Sequence, residues 1–179
     1  MNPVNTNDTE QGRSRGKRHS EGGGEAMTKI ISEIRIEPHK TQVWEVLSDL
    51  GSVSAWSPAI AKSFYTSEAK EGLEASRRCD FPGVYVEERT TAWKRGEGFT
   101  LENNEGTVPF ASAFGTYSLR GDGHGASVAF RLEYELKKDT SADPQEVERK
   151  NRDELIPLTP ANLKRYQETG EPMAAPATS

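Results

Sequence analysis

Residues 43–58 read VWEVLSDLGSVSAWSP, and the fold turns on what they form. Val43, Val46, Leu47 and Leu50 recur at helical spacing, which predicts a short amphipathic helix with one apolar stripe. Gly51 then reads as a helix-ending residue, and a second short segment follows that carries Trp56 and closes at Pro58. Two short helices in tandem are either plain core packing or one wall of a cavity. Trp56 is a core plug in the first case and a wall residue in the second.

Outward from this stretch the pattern is β. Upstream, Ile30, Ser32, Ile34 and Ile36 alternate with Ile31, Glu33, Arg35 and Glu37, so residues 29–37 read as a strand with one buried face. Pro38 ends that strand and helps to start the first helix. Downstream, period-two stretches recur near 61–67, 73–80, 84–94, 98–104, 110–120 and 126–137. Turn signals separate them: Glu71 with Gly72, Pro82 with Gly83, Arg95 to Gly98, Asn103 with Asn104, and Gly121 with Asp122 and Gly123. Connections this short imply successive antiparallel hairpins and leave no room for a parallel crossover.

Residues 128–137, VAFRLEYELK, show the alternation most plainly. Val128, Phe130, Leu132, Tyr134 and Leu136 share a face, and Arg131, Glu133, Glu135 and Lys137 occupy the other. One face of the sheet is therefore wet, and helices must cover the other. The terminal helix has an N-cap signature at Asp143, with Pro144 and Glu146 behind it. Pro157 and Pro160 are expected to kink or break it, Thr159 with Pro160 reads as a fresh start, and Gly170 ends it.

The chain has 179 residues, enough for one domain with a real core, yet only 33% are hydrophobic and mean hydropathy is -0.78. The ends account for this. Residues 1–26 mix Asn, Ser, Gly and alternating charge and read as a disordered tail, residues 27–170 as the domain, and residues 171–179, EPMAAPATS, as a frayed end. Met27 precedes the first strand, and the Glu-Gly-Gly-Gly-Glu before it has purine-rich codons of the kind found in a bacterial ribosome-binding sequence; translation is expected to start at Met27.

Composition also excludes whole classes of function. No apolar run is long enough for a membrane span or a signal peptide, so a cytoplasmic location without stable membrane insertion is expected. The single cysteine, Cys79, forms no intramolecular disulfide. A net charge of -5 gives no footprint for nucleic acid, and the basic run RSRGKRH at 13–19 is flanked by acidic residues without interleaved aromatics, as in a solvated tail.

Taken in order, these segments resemble the SRPBCC superfamily of START-like, helix-grip proteins, in its polyketide cyclase/dehydrase branch. The resemblance lies in IRIEPHKTQVWEVLSDLGSVSAWSP at 34–58, GLEASRRCDFPGVYVEERTTAW at 72–93, GTYSLRGDGHGASVAFRLEYEL at 115–136 and NLKRYQETGE at 162–171. It spans about residues 28–170. It implies an α+β helix-grip fold: a curved antiparallel sheet of about seven strands, two short helices after the first strand, and a C-terminal helix over the concave face. A ligand cavity would lie between sheet and helix, its end closed by the two short helices with Trp56 nearby. QEVERKNRDELIPLTP departs from the usual apolar roof, which implies a roof that is broken, short or mobile.

The chemistry available is limited. His19, His39 and His124 fall in a tail, a helix start and a turn without a companion cluster at ligand spacing, so no metal is expected. Residues 121–125 are glycine-rich but precede no helix, which makes them a hairpin turn and not a phosphate cradle. No nucleophile elbow is present, Cys79 has no histidine near it in sequence, and no cofactor is expected.

One polar pair stands out. A hairpin closed symmetrically about Pro82 and Gly83 sets residues summing to 165 opposite one another, so Arg77 faces Glu88 on the side that also holds Ala75, Cys79, Phe81 and Leu73. The pair is either a partly wet salt bridge at the rim or a polar anchor in an apolar pocket. With the resemblance, Trp56, Cys79, Thr90, Phe99, Tyr117, Tyr134 and Leu163 join Arg77 and Glu88 as expected ligand-binding positions.

Three functions compete. The first is binding of a small hydrophobic or amphipathic molecule, lipid- or polyketide-like, by a monomer or homodimer. The second is a cyclase, aromatase or dehydratase in which Arg77, Glu88 and Tyr117 stabilise an enolate and move protons. The third is a protein-interaction module that docks through residues 143–169 over a closed cavity.

Overall fold

The computed structural model describes residues 27–173, so the expectations for residues 1–26 and 174–179 lie outside the described residues. Seven strands form one antiparallel sheet: β1 Thr28–Ile36, β2 Lys62–Tyr65, β3 Ser76–Phe81, β4 Val84–Lys94, β5 Gly98–Gly106, β6 Phe110–Gly121 and β7 Ala126–Leu136. The order is β1-β7-β6-β5-β4-β3-β2, a ladder of hairpins from β2 to β7 with β1 added beside β7. Its curved inner face carries Ile30 opposite Leu132, Tyr117 opposite both Phe130 and Phe99, and Leu119 opposite Val128. The outer face is polar, with Glu133 paired to Lys29 at 3.6 Å and to Arg131 at 3.2 Å.

Two sequence expectations for the strands need correction. Asn103 and Asn104 are not a turn; both lie inside β5, and the chain reverses at residues 107–109. Pairing with β4, where Glu88 faces Asn103, overrides their local turn preference. Leu73 does not share the inner face, because β3 begins only at Ser76 and Leu73 sits in the preceding turn, 61% exposed.

Helix α1, Lys40–Leu47, starts by a route the proline reading missed. His39 is the N-cap: its Nδ1 accepts from the Thr41 N–H at 3.4 Å, and its own N–H donates to Gln42 Oε1 at 3.1 Å. Val43, Trp44 and Leu47 are buried. Leu50 does not extend this helix; it opens a 3-10 helix, Leu50–Ala55. Gly51 lies inside that turn and ends nothing. Its role is room: a Cβ there would stand 2.5 Å from the Tyr65 ring, whose hydroxyl donates to Asp49 Oδ1 at 2.9 Å.

The C-terminal helix begins at its expected cap, with Asp143 Oδ1 accepting from the Gln145 N–H at 3.0 Å. Helix α2 spans Pro144–Lys150, one π-helical turn covers Asn151–Leu155, and α3 runs Ile156–Thr169. Thr159 does not start a new helix; it lies within α3 and its Oγ1 donates back to Leu155 O at 2.8 Å. The disturbance expected at the prolines falls one turn earlier. A proline has no N–H for the carbonyl four residues before it, and the residues just before Pro157 take a wider π turn, with the Ile156 N–H bonded to Asn151 O. Gly170, at φ 76, supplies the left-handed C-cap.

Helix α3 rests on β1 and β7, α1 on β6, and the 3-10 helix on β2 and β3. The larger apolar cluster gathers Ile36, Leu47, Leu50, Trp56, Phe99 and Leu163. A smaller one holds Ile30, Ala113, Tyr134 and Ile156. Phe130 packs against both.

Candidate functional site

The β3–β4 hairpin sets Arg77 opposite Glu88, and Arg77 Nε donates to Glu88 Oε2 at 2.8 Å. The arginine side chain is 6% exposed and the glutamate 19%. Arg77 Nη1 also donates to Leu50 O at 3.4 Å, tying the pair to the short helix capped by Trp56. Burial works against the guanidinium charge most strongly, but Glu88, with Cys79 and Tyr117 adding to it, outweighs burial in sum, and Arg77 titrates above its usual range.

Two further groups feel this pair. Burial pushes the Tyr117 phenol above its ordinary range, with Arg77 pulling it back and Glu88 adding to the rise. Burial likewise pushes the Cys79 thiol up to about 11, against the pull of Arg77. Arg77, Glu88, Tyr117 and Cys79 thus form one interacting set, in which the phenol and thiol are neutral proton holders at physiological pH.

Around them lie polar atoms without a hydrogen-bond partner among the described residues: Trp56 Nε1, Thr90 Oγ1 and Asn103 Oδ1. Thr90 stands on the inner face opposite Leu101, and Asn103 faces Glu88 across a bulge in β4. Trp56 and Thr90 are 2% and 3% exposed, so their polar atoms are well removed from bulk water. A fourth orphan, Asn151 Nδ2, belongs to the π turn, where the residue is also buried.

The apolar wall is continuous with this set. Tyr117 stacks on Phe130 with centroids 4.5 Å apart and meets Phe99 at 5.0 Å. Phe99 stacks in turn on Trp93 at 5.4 Å. Val86, two residues from Glu88 on β4, and Phe130 and Leu132 on β7 remain half-buried on the inner face.

Of the expected positions, Trp56, Arg77, Cys79, Glu88, Thr90, Phe99 and Tyr117 come together around the ion pair, and Leu163 of α3 packs into the same larger cluster. Tyr134 does not; it sits in the smaller cluster against Ile156. Asn103, Asn151 and Asn162 were missed from sequence, although the last two are buried. For Asn103 the local signal points to a turn, and the bulged β4–β5 register that sets it beside Glu88 is not readable from sequence.

Two clefts open elsewhere. One of about 580 Å³ is lined by Glu45, Asp49, Gly51, Tyr65, Lys70 and Glu71, and one of about 310 Å³ lies at the β3–β4 turn by Arg78 and Tyr85. Neither is lined by an expected position. Among the described residues no group of three or more His, Cys, Asp and Glu is arranged to hold a metal ion.

Residues 27–164 match the family model described as polyketide cyclase / dehydrase and lipid transport. Compared with curated proteins, the chain finds no match in sequence. Similar solved structures include a START superfamily protein from Mycobacterium smegmatis, 13% identical, with a TM-score of 0.58 over 68% of this chain and 84% of that one. The di-domain ARO/CYC BexL of the BE-7585A biosynthetic pathway is 14% identical, with a TM-score of 0.65 over 79% of this chain and 47% of its own. Ginseng major latex-like protein 151 from Panax ginseng is 16% identical, with a TM-score of 0.61 over 82% and 98%. At these identities the likeness is one of fold.

Proposed function

Because the chain belongs to the polyketide cyclase / dehydrase and lipid transport family, we propose that it binds a small hydrophobic or amphipathic molecule, lipid- or polyketide-like, in a cavity between the sheet and the C-terminal helix. The observation that carries this reading is the buried pair of Arg77 and Glu88 set beside half-buried aromatic and aliphatic wall on the inner face. A charged pair costs several kcal/mol per ion to bury, and an apolar pocket with a few fixed polar groups is what orients a small ligand. The apolar body would lie along Phe130 and Leu132, with its polar end at Arg77, Glu88 and Tyr117. No helix of the described residues is long and apolar enough to cross a membrane.

A second reading has one observation in its favour, the convergence of Arg77, Glu88 and Tyr117. In a cyclase or dehydratase, Glu88 would take a proton next to a substrate carbonyl, Arg77 would hold the enolate oxygen, and the neutral Tyr117 phenol would return a proton. Native mass spectrometry of the gently purified chain separates the outcomes. A co-purified small molecule that is lost in Arg77→Ala/Glu88→Gln supports the binding site, and a ligand retained in that folded double variant removes the pair from it.

A further inference from the structure

Strand β1 ends the sheet: it pairs with β7 on one side in unbroken register, and no strand of the described residues lies on its other side. Successive residues of a strand turn their N–H and C=O to opposite sides. Ile36 O is turned toward the chain entering β7, 2.7 Å from where a Cβ on Gly125 would stand. Arg35 O is turned the other way and accepts from Lys164 Nζ at 2.9 Å, and the Glu37 N–H, two residues on, donates to Glu168 Oε1 at 3.2 Å. Helix α3 thus occupies the far end of the open edge. By the same alternation Lys29, Ile31 and Glu33 direct their main-chain groups to the part of the edge that α3 leaves free, and their side chains are all exposed on the wet face. Native sheets blunt such an edge with a proline or a bulge. β1 has neither, and it holds Ile31 there at 58% exposure.

The side chains of this edge complement themselves in one register. Antiparallel pairing with a second copy, centred on Ile31, sets Ile31 against Ile31 and Lys29 against Glu33 on both sides of the twofold axis, and each facing pair exchanges both of its main-chain bonds. Centring on Ser32 would set Lys29 opposite Arg35, centring on Lys29 or Glu33 would set like charges face to face, and centring on Ile30 would put Ile31 opposite Lys29. We propose that the chain self-associates through this β1–β1 contact, as a twofold dimer in which the two sheets join into one. Lys29 is half exposed and 3.6 Å from Glu133, and Glu33 is exposed, so both are free to turn to the second copy. The free edge is short, so the contact is smaller than a permanent interface and the dimer forms only at high concentration.

Sedimentation velocity of the full chain from about 1 to about 200 µM reads the equilibrium, with a dimer fraction that rises with concentration as the expected result. Ile31→Lys puts like charges on the axis without touching the core, and Lys29→Glu sets carboxylates against Glu33. Each should weaken association at least about tenfold and leave the far-UV circular dichroism unchanged. Lys29→Glu and Glu33→Lys should each stay monomeric alone and form a heterodimer when mixed, because the register then pairs every carboxylate with an ammonium. A parent that is monomeric at the highest concentration overturns the proposal and leaves the edge to a strand of another protein or to none. A dimer that survives Ile31→Lys, or mixed charge variants that remain monomeric, puts the association on another surface or in another register and overturns it as well.

Discussion

Glu88→Ala would leave the Arg77 guanidinium, with a side chain only 6% exposed, without the carboxylate to which its Nε donates at 2.8 Å. Removing one partner of a buried ion pair costs about 3–5 kcal/mol, because the survivor remains charged in a place that solvates it poorly. The deeper survivor should suffer more. Glu88 keeps 19% exposure and Arg77 keeps 6%, so Glu88→Ala is expected to cost about 4 kcal/mol and Arg77→Ala about 3 kcal/mol. Arg77→Met with Glu88→Leu removes both charges while filling their space, and should fall within about 1 kcal/mol of the parent or exceed it. Urea unfolding monitored by tryptophan fluorescence reads all three, provided that the slope with denaturant is unchanged. If either single change costs under about 1 kcal/mol, the pair behaves as a wet surface bridge and the buried-anchor reasoning is refuted.

Three further outcomes follow from the packing. The fold holds Cys79 as a neutral thiol, raised from an ordinary 9.0 to about 11, so the unfolded chain ionises first; stability is fully present below pH 9 and falls by about 2 kcal/mol as pH rises to 11. Unfolding midpoints of the parent and Cys79→Ala across that window should show a smaller loss in the variant, which lacks the thiol; identical losses would contradict this. Gly51→Ala forces a Cβ to within 2.5 Å of the Tyr65 ring and should cost about 1–3 kcal/mol, with a smaller increment in a Tyr65→Ala background, as a double-mutant cycle would read. Thr159→Val removes the hydroxyl that donates to Leu155 O and should lower stability by about 1 kcal/mol in a urea titration; no change would leave that bond without a part in holding the π turn.

Arrangements that depend on neighbours in the chain are legible in the sequence. Pro82 and Gly83 set the β3–β4 register, and with it the meeting of Arg77 and Glu88, because a two-residue turn leaves one way to pair the flanking strands. The alternation in β7 identified its inner face for the same local reason. Reading failed where a distant contact decides. Gly51 resembles a helix stop, but the space it leaves is taken by Tyr65 from the edge strand. Asn103 and Asn104 carry turn preference, yet pairing with β4 holds them extended and places Asn103 at the site. The two prolines of α3 are expected to kink or break the helix, and the irregularity lies in the π turn just upstream, with α3 continuing through both. Asn151 went unnoticed because its inward position depends on that π turn, which a regular 3.6-residue period does not anticipate.

The most direct measurement of the central claim is a two-dimensional 1H–15N NMR titration of the full chain with the polyketide-like probe 6-hydroxy-2-acetylnaphthalene. A ligand held between sheet and C-terminal helix should shift the amides of Glu88, Thr90, Asn103, Tyr117, Phe130 and Leu132, the residues that form the polar end and wall of the proposed cavity. Shifts confined to Glu45, Asp49, Gly51, Tyr65, Lys70 and Glu71 would place the ligand in the outer cleft and contradict an internal site.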